Sequence, residues 1–253
     1  MFFLKAAFCR VFQTGFKLAL PVLPYREPTV ISSCAELKKV FEAEKLRSVL
    51  VVTDKGIVNN GLISPLETVL NESGVNFAVY DNTQPNPTVQ NVEEALALYN
   101  KNRCDGLIAV GGGSAMDCAK ALGARVAYPK KSVGQMKGVL RILRRIPTLI
   151  AVPTTAGTGS ELTLAAIITD PEKRHKYALM SFPLIPHYAV LEAAITYTLP
   201  PHLTATTGMD ALTHAVEAYI GKSNVKSTSE YAEKATKLIF ENLETAYNDG
   251  KNI

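Results

Sequence analysis

The sequence predicts an α/β protein in which an N-terminal domain built on a parallel sheet is followed by the beginning of an all-α domain. From residue 46 onward, near-continuous runs of Val, Ile and Leu alternate with segments of helical periodicity. This alternation is typical of crossover units, and strands that are apolar throughout indicate a sheet covered on both faces. After Pro200-Pro201, by contrast, every segment has the apolar spacing of a helix.

The α/β part is predicted element by element from runs of apolar residues and the turn residues between them. Its first strand covers residues 48–53 and is closed by Asp54-Lys-Gly56, and a helix over residues 62–73 ends at Gly74. The same alternation predicts strands at 75–80, 106–110 and 148–152, a loop at 81–87, helices at 89–102 and 115–128, and a basic loop before the last strand.

The all-α part is predicted to contain two amphipathic helices, over residues 203–220 and 227–247. We therefore place one domain at residues 1–199, including an N-terminal arm over residues 1–24. The first helices of an incomplete all-helical domain occupy residues 200–253. The apolar faces of the two helices would pack on helices that this sequence lacks. An exposed apolar patch, with self-association or poor solubility, is the expected consequence.

The composition limits the classes of function. Of the 253 residues, 47% are hydrophobic and 20% charged, as in a globular protein with a real core. A net charge of +4 and the absence of Trp give no reason to expect a nucleic-acid partner. Six Lys and Arg residues between positions 130 and 145 could attract phosphates, but a solvated surface explains them more simply. Four scattered cysteines favour a reduced, cytoplasmic compartment.

The N-terminal 24 residues are basic and apolar, with Lys5, Arg10 and Lys17 and no acid. The cations interrupt every apolar run, so no membrane span is predicted. Packing on the protein itself or on a partner subunit is favoured over binding at a membrane surface.

A glycine-rich turn, Gly111-Gly-Gly-Ser114, lies between a predicted buried strand and a helix. Glycines let the backbone approach a phosphate closely, and Ser114 could cap a helix whose N–H groups face the anion. The turn departs from the usual dinucleotide fingerprint because residue 116 is Met rather than Gly. By itself it fits phosphate binding and a tight structural turn equally.

Three further segments, around Asp54, Asn86 and residues 153–161, contain candidate cofactor-binding residues. Asp54 could accept hydrogen bonds from a ribose, but a helix-cap or turn residue is as good an explanation. Asn86 has the same ambiguity, because Asn is common in turns. Residues 153–161 combine glycines and hydroxyls without a bulky side chain, which suits the lining of a cofactor. Two such loops at the carboxyl ends of parallel strands would face one crevice.

Asp210 and His214 are four residues apart, so on a helix their side chains share one face and could bind a single cation. A catalytic metal usually takes about three protein ligands, and no His or Cys follows His214. The pair is therefore half of a metal site or no metal site.

Taken together, these segments resemble the iron-containing (group III) alcohol dehydrogenase family, within the dehydroquinate synthase-like superfamily. The resemblance implies an N-terminal α/β nucleotide-binding domain, a C-terminal all-helical domain and an active site in the cleft. The motifs that carry it, in chain order, are Thr53-Asp-Lys-Gly56, Asn86-Pro-Thr88, Gly111-Gly-Gly-Ser-Ala-Met-Asp-Cys-Ala-Lys120, Pro153-Thr-Thr-Ala-Gly-Thr-Gly-Ser-Glu161, Lys176-Tyr177 and Gly208-Met-Asp-Ala-Leu-Thr-His-Ala-Val-Glu-Ala-Tyr219.

The resemblance also implies a cofactor, NAD, and a divalent metal, with Fe²⁺ the first candidate and Zn²⁺ the second. It places Asp54 on the adenosine ribose, which favours NAD over NADP, and makes Asp210 and His214 the first two metal ligands. The residues that it assigns to the pyrophosphate and the remaining cofactor groove are Gly112, Gly113, Ser114 and Asp117, and then Asn86, Thr154, Thr155, Thr158 and Lys176. Two further histidine ligands of the family are missing, so we expect a C-terminally truncated chain.

The implied activity is that of a NAD-dependent, metal-dependent alcohol dehydrogenase or aldehyde reductase acting on a primary or small alcohol. A homo-oligomer such as a dimer is expected. Two alternatives stay open: a non-catalytic dinucleotide-binding fragment, and a polyol dehydrogenase or lyase of the same superfamily. The sequence departs from the family at Glu192-Ala193, where Asp-Pro is usual, and at residues 31–35, where a glycine-rich turn is expected.

Overall fold

The computed structural model describes residues 10–11, 14–15, 23–221 and 224–252. They divide into two compact units: residues 26–198, and a second unit that combines the described residues before 26 with those after 198. Most of the predicted N-terminal arm lies outside the described residues. Within the described ranges, no helix is long and apolar enough to cross a membrane.

The larger unit contains all the strands of the described chain. They are β1 (Thr29–Ile31), β2 (Ser48–Val52), β3 (Asn76–Tyr80), β4 (Gly106–Gly111), β5 (Gly138–Val139), β6 (Thr148–Pro153), β7 (Ala165–Asp170), β8 (His175–Met180) and β9 (Tyr188–Val190). Its helices are α1 (Leu37–Glu44), α2 (Lys55–Asn59), α3 (Ser64–Glu72), α4 (Val89–Lys101) and α5 (Gly113–Ala127).

Six of the strands form a sheet in the order β1-β9-β6-β4-β2-β3, and every pair in it is parallel. The predicted α/β class with a parallel sheet is therefore confirmed. Strand β4 is apolar throughout because both faces of the sheet are buried. Leu107 packs into the core on one face and Ile108 into the core on the other. Helices α4 and α5 cover the first face, and α1 and α3 cover the second.

The strand order creates a switch point between β2 and β4. From β2 the chain passes through α2 and α3 to β3 at the sheet edge, whereas from β4 it passes through α5 to β6 on the opposite side. The loops that leave β2 and β4 therefore diverge and open a crevice at the carboxyl ends of these strands, where open α/β sheets bind ligands.

Several elements were not predicted from the sequence. Strands β5, β8 and β7 form a second, three-stranded sheet in which β7 and β8 are antiparallel. Exposed and buried positions mix along β7 and β8, so these strands lack the continuous apolar run of the main sheet. Strands β1 and β9 have three residues each, too few to show a period. Residues 54–56, which close the first predicted strand, begin the short helix α2, which the sequence did not predict.

The smaller unit contains α6 (Pro201–Ile220) and α7 (Lys226–Asn248), which pack against each other. Both agree with the predicted helices to within two residues at each end. The helices approach closely at Gly208, where a Cβ atom would overlap the side chain of Leu243. The division between the units falls between Thr198 and Leu199, beside the predicted domain boundary at 199/200, which itself stays a prediction.

Candidate functional site

A cavity of about 470 Å³ lies at the switch point between β2 and β4. Three segments line it: residues 54–56 after β2, residues 81–85 after β3, and residues 112–115 at the start of α5. All three follow parallel strands of one sheet, and all belong to the larger unit. The strand order thus brings together two segments that the sequence predicts to bind a cofactor.

The glycine turn after β4 has a conformation that requires glycine at its first position. Gly111 has φ +148°, and a Cβ atom there would lie 2.8 Å from the Cβ of Ala115. Helix α5 begins at Gly113 with Gly112 as its N-cap, two residues earlier than predicted. Ser114 therefore lies in the first turn, and the expectation that it caps the helix is wrong. The first N–H groups of a helix have no partner inside it, so they can serve a ligand.

Asp54 caps a helix and also lines the cavity. Its Oδ1 caps α2 by accepting a hydrogen bond from the N–H of Ile57 at 3.1 Å. Its Oδ2 is directed toward the glycine turn, because a Cβ built on Gly111 would lie 3.8 Å from it. Since Asp54 also lines the cavity, the carboxylate has a structural role and an oxygen near the space for a ligand.

The loop after β6 packs directly on the glycine turn. The N–H of Thr154 donates to the carbonyl of Gly111 at 3.1 Å. A Cβ built on Gly112 would lie 3.5 Å from Thr155 Oγ1, and one built on Gly113 would lie 3.5 Å from Thr158 Cγ2. The two loops therefore meet, as their positions after neighbouring parallel strands predict.

This loop keeps several polar groups without partners. Thr155 Oγ1 is buried and makes no hydrogen bond with any described residue. Nor do the backbone N–H groups of residues 155–159 find an acceptor in the described part of the chain. The Thr155 hydroxyl is the buried member of this set, and an unpaired buried polar group is costly and calls for an explanation, whereas residues 156–159 are partly or largely exposed. Beside a glycine turn that leaves open space, these groups fit a polar, phosphate-bearing cofactor.

Asn86, Ser114 and Lys176 form one hydrogen-bonded group on the protein surface. Asn86 has φ +59°, and its N–H donates to Ser114 Oγ at 3.3 Å. Lys176 Nζ donates to Asn86 Oδ1 at 2.6 Å. The structure thus brings together three predicted cofactor residues from the loop after β3, from α5 and from β8.

Asp117 is used inside the protein rather than in the open cavity. Its Oδ1 accepts from Ser160 Oγ at 3.2 Å and its Oδ2 from the N–H of Ile167 at 3.0 Å. Burial raises the pKa of Asp117, while the Ile167 N–H, Lys120 and Ser160 favour its ionised form. These contacts connect α5 to Ser160 and to β7, and a contact with the cofactor stays a prediction.

Lys120 is a residue to which the sequence assigned no role, although it belongs to one of the motifs. It is fully buried, and its Nζ donates to three backbone carbonyls in the segment 160–165. The available signal was a charged residue between Ala119 and Ala121 in an apolar helix. Its acceptors lie at least 40 residues away in sequence, so spacing could not identify them.

Asp210 and His214 lie on α6, as the sequence predicts, with Asp210 Oδ2 3.6 Å from His214 Nε2. Both side chains are about half exposed, at 46% and 61%. Carboxylate and imidazole are ligands that Fe²⁺ and Zn²⁺ accept. No group of three or more His, Cys, Asp or Glu residues in the described ranges could hold a metal ion. As metal ligands the two residues would provide only part of a site, and that role stays a prediction.

Two family profiles match the chain. The profile of the family described as iron-containing alcohol dehydrogenase matches residues 30–193. A second profile, described as Fe-containing alcohol dehydrogenase family, C-terminal, matches residues 204–253.

Among curated relatives, alcohol dehydrogenase 4 of Schizosaccharomyces pombe is 40% identical over 244 residues, which cover 95% of this chain and 58% of the relative. The 1,3-propanediol dehydrogenase of Klebsiella pneumoniae is 35% identical over 240 residues, covering 94% and 61%. The chain thus spans about three fifths of the length of these relatives.

Solved structures resemble the chain as well. A 1,3-propanediol oxidoreductase superposes with a TM-score of 0.87 at 34% identity, over 90% of this chain and 60% of that structure. A sulfoacetaldehyde reductase from Bifidobacterium kashiwanohense in complex with NAD⁺ superposes with a TM-score of 0.80 at 32% identity, over 90% and 61%.

Proposed function

The chain belongs to the iron-containing alcohol dehydrogenase family, and on that basis we propose that it binds NAD in the cavity at the switch point. We further propose that the whole protein is a NAD-dependent, metal-dependent alcohol dehydrogenase or aldehyde reductase. The observation that carries the proposal is the meeting of two loops with unpaired polar groups, residues 111–114 and 153–159, at the carboxyl ends of β4 and β6.

The residues around the cavity suit the successive parts of a dinucleotide. Oxygen Oδ2 of Asp54 would accept hydrogen bonds from the adenosine ribose, and its charge would repel a 2′-phosphate, so NAD is preferred to NADP. The N-terminus of α5, with Gly112 and Gly113, would hold the pyrophosphate. The loop with Thr154, Thr155 and Thr158 would line the nicotinamide side, because β6 lies across β4 from β2.

Asp117 would support this site from inside, whereas Asn86, Ser114 and Lys176 would form its rim. NAD, when bound, supplies the carbon that accepts or donates a hydride. The chain's own residues bind and orient the cofactor, and the exposed Lys176 adds a positive charge beside the start of α5.

Asp210 and His214 would supply one carboxylate and one imidazole to a divalent metal, Fe²⁺ in the first place and Zn²⁺ in the second. Such a metal acts as a Lewis acid on an alcohol or carbonyl oxygen. Because the described residues hold no third ligand beside this pair, we assign them part of the site only. No protein general base is assigned.

The proposed substrates are primary or small alcohols and the corresponding aldehydes, as the names of the relatives suggest. We also propose a homo-oligomer in a reducing, cytoplasmic environment. Three cysteines, Cys34, Cys104 and Cys118, are buried and free, which suits such an environment.

The cofactor proposal is tested by titrating the full chain with NADH and following calorimetric heat. The decisive variant is Gly112→Ala. Its added Cβ would make only ordinary contacts, 3.5 Å from Thr155 Oγ1, yet would fill space above the start of α5. We expect an unchanged unfolding midpoint and NADH affinity lowered by about tenfold or more.

Gly134→Ala is the matched control. Its Cβ would also meet only an ordinary contact, 3.8 Å from Tyr177 Oη, and it lies outside the cavity. The control should bind NADH like the unaltered chain. Unaltered NADH affinity in Gly112→Ala, or no NADH binding by the unaltered chain, would overturn the proposal.

Turnover distinguishes the catalytic proposal from its alternatives. In the whole protein, short alcohols with NAD⁺ should give NADH only when Fe²⁺ or Zn²⁺ is added. Cofactor binding without metal-dependent turnover would instead support a non-catalytic dinucleotide-binding chain. Faster turnover of polyols than of simple alcohols would support a polyol dehydrogenase.

A further inference from the structure

Lys120 connects α5 to the segment that follows the cofactor loop. Its Nζ donates to the carbonyls of Ser160 at 2.7 Å, Thr163 at 2.9 Å and Ala165 at 2.9 Å. The hydroxyls of Ser160 and Thr163 lie at 3.2 and 2.9 Å from the same atom. An ammonium group has three N–H donors, which these five oxygen atoms share, so each of them contributes to holding the lysine.

The segment 155–159 has few other attachments. Before it, the Thr154 N–H bonds to Gly111, and after it come Ser160 and Thr163, the residues that Lys120 holds. No N–H group between these two points has an acceptor among the described residues. Thr155 and Thr158 lie within this span. Their positions over Gly112 and Gly113 therefore depend on the anchors at its two ends.

A lysine is an expensive residue at this place. Burial lowers the pKa of Lys120 to about 8, although Asp117 and Glu161 oppose that shift. No salt bridge joins Lys120 to a carboxylate anywhere in the described residues. A Met or Leu would fill the same space on a buried helix face without the cost of burying a charge. Core packing alone does not explain the ammonium group.

We propose that Lys120 is a positioning residue for the nicotinamide side of the cofactor site. Through the carbonyls of residues 160–165 it holds Thr155 and Thr158 against the glycine turn. The adenosine side depends on Asp54 and on the first turn of α5, neither of which is hydrogen-bonded to the Lys120 side chain or to residues 155–165. The inference rests on the proposed NAD site and adds a residue that does not itself face the cavity.

The test compares two ligands of the full chain, NADH and 5′-AMP, in the variant Lys120→Met. NADH affinity should fall by about tenfold or more, because displaced binding groups lose their alignment. The affinity for 5′-AMP should stay unchanged, because this ligand reaches only the adenosine and first phosphate positions. Amide hydrogen exchange should accelerate in residues 154–165 and keep its protection in β2 and β4.

Lys101→Met, which replaces an exposed lysine at the end of α4, is the control and should change neither affinity. Thr163→Val removes one hydroxyl next to Nζ and keeps the lysine, so it should weaken NADH binding in the same direction but less. If Lys120→Met does not fold, the affinities of Thr163→Val for NADH and 5′-AMP test the proposal instead.

Three results would overturn the inference. One is an unchanged NADH affinity in Lys120→Met or, where that variant does not fold, in Thr163→Val. A second is an equal loss of NADH and 5′-AMP affinity, which would indicate general damage to the fold. The third is the absence of NADH binding in the unaltered chain, which also removes the proposed cofactor site and is recognised before any variant is made.

Discussion

The substitution Gly111→Ala tests how strongly the fold requires glycine at the first position of the glycine turn. Gly111 has a φ of +148°, in a region that only glycine adopts readily, and an alanine there costs about 1–3 kcal/mol of folding free energy. The new Cβ would also lie 2.8 Å from the Cβ of Ala115. Carbon atoms prefer about 3.5–4.0 Å, and such overpacking adds about 1–3 kcal/mol.

The sum, about 2–6 kcal/mol, is a large part of the 5–15 kcal/mol that stabilises a typical domain. Urea denaturation followed by circular dichroism should therefore give a clearly lowered midpoint for Gly111→Ala. Gly74→Ala is the matched control: it has φ +66° and no neighbour within 4 Å of its added Cβ. It should lose only the conformational part, about 1–2 kcal/mol.

Ala115→Gly in the Gly111→Ala background tests the contact itself. Removing the facing Cβ should recover the overpacking part, and the cost of Ala115→Gly alone is measured separately to close the double-mutant cycle. A loss no greater than that of Gly74→Ala would refute the reasoning. So would an Ala115→Gly exchange that recovers nothing.

Two further predictions concern other parts of the chain. The first is that the protein loses stability in acid because of His187. Burial and the charges of Arg26 and Arg145 lower the pKa of His187 to about 4, against the opposing charge of Glu44. The neutral ring accepts a hydrogen bond at Nδ1 from the Leu149 N–H at 3.0 Å. Because the unfolded imidazole titrates near 6.5, the unfolded state binds the proton first, and stability is lost as pH falls from about 6.5 towards 4. After a discount for partial exposure the loss is about 1–3 kcal/mol. Urea midpoints across this range should therefore fall less in His187→Asn than in the unaltered chain, and parallel curves would contradict the assignment. The second concerns α6 and α7, where Tyr219, Ile220, Tyr231 and Phe240 are each at least 56% exposed. The chain should bind a hydrophobic dye and self-associate, Phe240→Glu should reduce both, and a monodisperse monomer that binds no dye would contradict this.

The main sheet could be predicted because its strands are buried on both faces. In β4, Leu107 and Ile108 enter different cores, so the whole strand is apolar and stands out in the sequence. Strand β7 could not be recognised in this way, because Ile167 is 39% exposed while its neighbours Ala166 and Ile168 are fully buried. Its pairing with β8 is determined by tertiary contacts and not by a pattern within the strand.

The glycine turn and the loop after β6 could be predicted to meet because parallel strands end at the same edge of a sheet. The contacts of Lys120 could not, since its acceptors come from the segment that leads into β7, at least 40 residues later. The geometry of Asp210 and His214 followed from helical spacing, which fixes neighbours within one helix. How many ligands join them depends on other elements, about which the spacing carries no information.

The sequence could not distinguish the two possible roles of Asp54. A helix cap and a ribose acceptor need the same residue type at the same place, the end of a strand before a helix. In the structure one oxygen of Asp54 satisfies the first requirement and the other lies near the cavity. The two interpretations were therefore never exclusive. The cap fixes the carboxylate, and a fixed carboxylate is better prepared to bind a ribose than a mobile one.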